Sequence, residues 1–120
     1  MKSIIILEDE GIIALMLKRF LTSQNHSVTG TAKDGKTAIE LVEKFKPDLI
    51  IMDVHIKGDI NGIDTYKKIQ GFYEVPAIFL TGNSLDIINI KTNYKNLYVL
   101  EKPVSLTELK RTIDLIFVGN

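Results

Sequence analysis

Cysteine is absent from the 120 residues, which excludes disulfides and thiolate-held metals. An excess of either charge is missing as well, since fifteen basic and fifteen acidic residues cancel. A surface for nucleic acid or another polyanion needs clustered basic charge, so no direct nucleic-acid partner is expected. Long apolar runs are also lacking. The opening MKSIIILEDE reaches two acids too soon for a signal sequence or a membrane span. No linker, repeat or low-complexity tract interrupts the chain. These absences lead us to expect a single cytoplasmic domain over residues 1–120, with no membrane association. Such a chain can bury about two thirds of its unfolded surface, enough for a core without staples.

What is present is a regular alternation. SIIIL (3–7) reads as a strand buried on both faces. DEGIIALMLKRFLTSQ (9–24) carries Ile12, Leu15, Met16 and Phe20 at helical spacing, with Asp9 as its expected N-cap. HSVTGTA (26–32) is a weaker, less buried strand, and DGKTAIELVEKFK (34–46) a helix capped by Asp34 with a stripe of Ala38, Leu41, Val42 and Phe45. DLIIMDV (48–54) is a third strand, followed by a turn-rich loop, HIKGDING, and a helix over 63–70 whose apolar side holds Ile63, Tyr66 and Ile69. VPAIFLT (75–81) and NLYVLE (96–101) are the fourth and fifth strands. A helix is expected between them over 83–95, and a last one over 105–118 opens on the capping box Ser105-x-x-Glu108 and turns Leu106, Leu109, Ile113 and Phe117 to one side.

Short apolar strands alternating with amphipathic helices imply an α/β, three-layer, doubly wound parallel sheet. Ligands of such sheets lie beyond the carboxyl ends of the strands. Glu8 and Asp9, Asp53, Thr81, and Glu101 and Lys102 stand at those ends. All but Glu101 can converge on one crevice, and Glu101 can equally point away. Two carboxylates 4 Å apart repel by roughly 4 kcal/mol at an effective dielectric near 20. Glu8, Asp9 and Asp53 therefore need more compensation than one lysine provides. A divalent cation supplies it, and a few carboxylates with water and phosphate oxygens are how Mg²⁺ is held. Asp53 then becomes a nucleophile toward phosphorus, with Lys102 and the Thr81 hydroxyl available to the equatorial oxygens.

This pattern resembles the response-regulator receiver domains of two-component signalling, over nearly the whole chain. The matching elements are the acidic pair Glu8-Asp9, Asp53 ending the third strand, Thr81 after the fourth, and Lys102-Pro103 after the fifth. The resemblance implies a flavodoxin-like (βα)5 fold with strand order 2-1-3-4-5. It implies that Asp53 accepts a phosphoryl group from the phosphohistidine of a histidine kinase or phosphotransfer domain, or from a small phosphodonor. It also implies Mg²⁺ held by Asp9, Asp53 and the backbone carbonyl of His55, with Glu8 acting through water, and a cis peptide before Pro103 that aims Lys102. It implies further that His55 and Asn83 flank the path of the attacking water and modulate hydrolysis. By the same resemblance, the surface of the fourth helix, fifth strand and fifth helix is expected to meet an output domain or target, and a weak homodimer is compatible with it.

Three positions depart from the family pattern. Val99 stands where an aromatic switch residue is usual; its neighbour Tyr98 faces the other side of the strand and cannot simply replace it. Gly62 follows Asp53 by nine residues, one more than in many members, and that loop with LEDEGIIALMLK is similar to receivers attached to sensor kinases. The acidic pair is Glu-Asp where Asp-Asp is commoner. On this reading the protein is a signalling switch that only catalyses its own phosphorylation and dephosphorylation. Two rivals remain open: a small Mg²⁺-dependent phosphatase with Asp53 as nucleophile, and a binding module that keeps the fold without the chemistry. The phosphatase lacks its usual second acid, since His55 stands at that position. The glycines of KGDING read as turn residues, and His26 as a surface residue.

Overall fold

The computed structural model describes residues 2–82 and 93–118. Its elements are β1 (Ser3–Leu7), α1 (Gly11–Ser23), β2 (Ser27–Ala32), α2 (Gly35–Phe45), β3 (Leu49–Asp53), α3 (Gly62–Gln70), β4 (Ala77–Thr81), β5 (Leu97–Glu101) and α4 (Leu106–Phe117). The five strands form one sheet in the order β2-β1-β3-β4-β5, every pair parallel. The expected doubly wound fold is therefore observed. The helix expected over 83–95 lies outside the described residues as far as 92, and residues 93–95 are described and are not helical. Asn93 and Asn96 flank that stretch, and asparagine competes with helix by bonding locally to the backbone.

Successive strand residues point to opposite faces, which splits the core in two. Ile5, Ile50, Met52, Ala77 and Phe79 pack with Ala38 and Val42 of α2 and with Tyr66 and Ile69 of α3. Ile4, Ile6, Ile51, Ile78 and Leu80 pack with Leu17 and Leu21 of α1 and with Leu109 and Ile113 of α4. Each fully buried aliphatic side chain contributes about 1.5–3 kcal/mol. Val99 joins the first cluster and Tyr98 the second, so the two do face opposite sides of the sheet. On the Val99 face the aromatic volume comes from elsewhere: Tyr66 stands edge-on to Phe79 and to Tyr94, with ring centres 5.3 and 5.0 Å apart.

Three helices begin on side-chain caps. Asp34 accepts from Thr37 N at 2.8 Å, Asn61 from Asp64 N at 2.8 Å and Ser105 from Glu108 N at 3.2 Å. The first helix departs from expectation. Its N-cap position is Glu10, with no side-chain cap bond, and Asp9 instead accepts from Lys57 N at 3.3 Å. Asp9 is held by the neighbouring loop, so the helix starts one residue later and uncapped. The expected stripe is also rotated: Leu17 and Leu21 are buried while Ile12 is 85% and Leu15 48% exposed. This helix is apolar on two sides, and periodicity alone cannot choose which one meets the sheet. Phe45, expected on the core face of α2, is 39% exposed, with the Lys44 ammonium 5.1 Å from its ring centre.

Gly62 is more than a turn residue. It is the first residue of α3, its amide donates to the Val54 carbonyl at 3.1 Å, and a Cβ there would overlap the Asp53 carbonyl oxygen and lie 2.9 Å from Val54 Cα. Gly62→Ala is expected to lower stability by about 1–3 kcal/mol through overpacking, whereas Gly11→Ala, with nothing within 4 Å of the added carbon, raises it by about 0.4–1 kcal/mol; urea unfolding of the two variants checks the opposite signs. His26 is half-buried, and its Nδ1 is buried with no hydrogen-bond partner among the described residues. Burial foremost, helped by the charge of Lys2 and opposed by Asp114, holds its pKa below the ordinary 6.5. The unfolded chain therefore binds the proton first, so this contribution is complete above the ordinary 6.5 and is lost as pH falls from there through the lowered value of the folded state. The stability difference between the wild type and His26→Gln should shrink in that direction, as read by denaturation at stepped pH.

Candidate functional site

The crevice forms where β1, β3, β4 and β5 end together. Asp53 closes β3 with only 3% of its surface exposed, and Glu8, just past β1, has 2%. Thr81 closes β4 and is fully buried. Parallel pairing fixes these ends against one another: Asp53 lies across from Leu80 and Thr81 across from Glu101. Backbone bonds continue the sheet beyond its strands. Glu8 N donates to the Ala32 carbonyl at 2.9 Å, Val54 N to Leu80 at 3.1 Å and Lys102 N to Thr81 at 2.8 Å.

Lys102 reaches back across the sheet end, and its Nζ lies 2.8 Å from Asp53 Oδ2. The other oxygen, Oδ1, accepts from the His55 backbone amide at 2.9 Å. The Lys102–Pro103 peptide bond is cis. Glu8 Oε2 accepts from Glu10 N at 3.1 Å, while Glu8 Oε1 is buried with no hydrogen-bond partner among the described residues. Glu101 is exposed, as are the His55 side chain and Lys102 in part. Asn83 lies outside the described residues.

The electrostatics follow from this crowding. Burial, reinforced by the charges of Asp53 and Asp9 and opposed by the Glu10 amide and Lys102, pushes the Glu8 carboxyl up to about 7. Burial alone would lower the Lys102 ammonium, but the hydrogen bond and charge of Asp53, with Glu8 and Glu10 beyond it, hold its pKa above the ordinary value. Glu8, Asp9 and Asp53 each offer one carboxylate oxygen, all within 4.8 Å of one another. A buried carboxylate oxygen without a donor is costly. Among the described residues Glu8 Oε1 is such an oxygen, and three carboxylates gathered this closely are a donor set that a small hard cation takes alongside water.

A family model, the response regulator receiver domain, matches residues 4–114. The chain belongs to that family. It is 34% identical over 115 residues to the transcriptional regulatory protein PdtaR of Mycobacterium tuberculosis, covering 95% of this chain and 56% of the relative. It is 30% identical over 124 aligned positions to the transcriptional regulatory protein YdfI of Bacillus subtilis, covering 100% and 57%. The chain thus spans about half the length of these curated relatives. Among solved structures, the receiver domain of the PhyR response regulator of Erythrobacter litoralis superposes with a TM-score of 0.86 at 28% identity, covering 99% of this chain and 92% of that one. This receiver domain accordingly has the flavodoxin-like fold and belongs to two-component signalling. Among its described residues no helix is long and apolar enough to cross a membrane.

The structure gathers Glu8, Asp9, Asp53, Thr81 and Lys102 at one sheet edge, and it adds two features that the sequence did not flag. The Lys57 amide holds Asp9, and Gly62 lets α3 approach the Asp53 backbone. A main-chain donor leaves no mark on residue type, so Lys57 had no signal; Gly62 had one, as a glycine opening a helix. Lys102→Met leaves the Asp53 carboxylate buried without its cation. In chelator-treated protein it should cost about 1–3 kcal/mol, and adding Asp53→Asn should recover most of that loss; a double-mutant cycle by denaturant unfolding measures the coupling.

Proposed function

We propose that this receiver domain is a phosphoacceptor switch in which Asp53 takes a phosphoryl group from the phosphohistidine of a histidine kinase or phosphotransfer domain. The observation that carries the reading is the buried Asp53 carboxylate, held by Lys102 and by the His55 amide beside the acidic cluster. In the transfer an Asp53 oxygen forms a bond to phosphorus as the phosphorus–nitrogen bond of the donor imidazole breaks. The bonding pair stays on the imidazole nitrogen. The acyl phosphate that results keeps the phosphoryl oxygens at the sheet edge.

Mg²⁺ fits the donor set, with Asp9, Asp53 and the His55 carbonyl as ligands and Glu8 acting through water, and when bound it neutralises charge on the phosphoryl oxygens. The chain's own residues do the rest. Lys102, already drawn to Asp53, turns its ammonium to a phosphoryl oxygen, and the cis bond to Pro103 sets its direction. The Thr81 hydroxyl donates to another oxygen. The exposed His55 side chain and Asn83 flank the approach of water and tune hydrolysis. Phosphorylation adds up to two negative charges at one point, and moving a two-state surface from 1:99 to 99:1 takes about 5.5 kcal/mol of differential stabilisation. A few charge-assisted bonds are of that order.

The family's output surface, the fourth helix, fifth strand and fifth helix, here falls on β5, on α4 and on a segment largely outside the described residues, and would meet an output domain or a target protein. Val99 stands at the usual aromatic switch position, with Tyr98 beside it on the opposite face of the sheet. We take residues 1–120 as one receiver domain acting in the cytoplasm, and signalling rather than turnover as its purpose. The His55 side chain, where a phosphatase needs its second acid, favours the switch over an enzyme. Incubation with a small phosphodonor and Mg²⁺ should label the wild type, and Asp53→Asn should abolish labelling while the far-ultraviolet circular dichroism is unchanged. A labelled species that persists for minutes supports the switch; equal labelling of the variant refutes the site, and rapid turnover of a phosphomonoester points to the phosphatase.

A further inference from the structure

The loop between β3 and α3, which carries His55 and Lys57, rests on α2. Its first half is buried: Val54 and Ile56 belong to the core cluster that α2 and α3 share. Its second half meets the start of α2. A carbon added at Gly35, the buried first residue of that helix, would overlap Thr65 Oγ1 and lie 2.7 and 2.8 Å from Ile60 Cγ1 and Cδ1. Gly58 passes beside the Asp34 cap, where an added carbon would stand 3.6 Å from Asp34 Cβ. Thr65 is fully buried, and its hydroxyl donates to the Asn61 carbonyl at 2.8 Å, so the contact grips the end of the loop as well. Alanine is a better helix former than glycine. The helix therefore does not call for glycine at position 35; the contact does.

We propose, on the reading that Asp9, Asp53 and the His55 carbonyl hold Mg²⁺, that Gly35 is a positioning residue for the cation site. It seats the loop on α2, and the seated loop keeps the ligands in an arrangement that prefers Mg²⁺ to Ca²⁺. Lys57 lies between the buried Ile56 and the half-buried Ile60, with only Gly58 and Asp59 intervening, so both flanks fix where its amide points. That amide donates to Asp9 Oδ2 at 3.3 Å. Two residues earlier the His55 amide donates to Asp53 Oδ1 at 2.9 Å. One loop thus orients two of the three clustered carboxylates, and groups that orient ligands tune a metal site along with the ligands themselves. Mg²⁺ demands near-octahedral geometry at short distances, whereas Ca²⁺ accepts longer and less regular contacts. A loop lifted off α2 therefore costs Mg²⁺ more than Ca²⁺.

Titration with Mg²⁺ and, separately, with Ca²⁺, followed by amide shifts around Asp9 and Asp53, tests this without any phosphodonor. Gly35→Ala is expected to weaken Mg²⁺ binding by about 10–100-fold and Ca²⁺ binding less. Ile60→Ala removes the loop's half of the contact without adding an atom, so it decides the matter even if Gly35→Ala fails to fold, and the same selective loss is expected. Gly30→Ala is the control: its added carbon meets the Leu41 side chain of α2 at 3.0 Å, which loads the same helix through a residue outside the loop, and both affinities should stay at the wild-type values. Unchanged Mg²⁺ affinity in Gly35→Ala and Ile60→Ala, an equal loss for the two ions, or a loss shared by Gly30→Ala overturns the role of Gly35 and leaves the cation site standing. A wild type whose amides near Asp9 and Asp53 do not respond to Mg²⁺ overturns the site and the role together.

Discussion

A carboxylate that the fold places where it cannot easily be solvated is the constraint around which this receiver domain is arranged. Asp53 ends the central strand of a sheet buried on both faces, and the Lys102 ammonium and the His55 amide meet its oxygens. Replacing that ion pair with apolar groups would make a more comfortable core. The proposed switch gives the pair a use: the carboxylate faces the crevice, and a lysine on a flexible stem can change partners where a fixed donor cannot.

Glu8 shows the same compromise. Its carboxyl is pushed up to about 7, first by burial, and one of its oxygens has no hydrogen-bond partner among the described residues. An acid in that position weakens the domain by itself, and a cation bound as proposed would turn the cost into a gain. Stability and binding are thus linked through one residue. The loop from Val54 to Asn61 belongs to the same arrangement, since its Lys57 amide fixes Asp9 while Gly62 admits the start of α3 against the Asp53 carbonyl.

The layers around the site divide the work. One face of the sheet joins α2 and α3 through Phe79 and Tyr66; the other joins α1 and α4 through Ile51, Ile78 and Leu109. Thr81 and Lys102 are carried by adjacent strand ends and tied by a backbone bond. A displacement of either is therefore felt by β4 and β5 together, close to the surface proposed for output.

The sequence by itself determined the alternation of strands and helices, the parallel sheet and the residues at its carboxyl edge. Each of these is written in local periodicity, in caps such as Asp34 and Ser105, and in the residue types that end the strands. Only the tertiary structure decided the face on which α1 packs, because a helix apolar on two sides satisfies the same period either way. It alone set Asp9 on the Lys57 amide instead of a helix cap, and gave Gly62 its close approach. Both depend on backbone groups brought together from distant parts of the chain, and a backbone amide is the same chemical group whatever residue bears it.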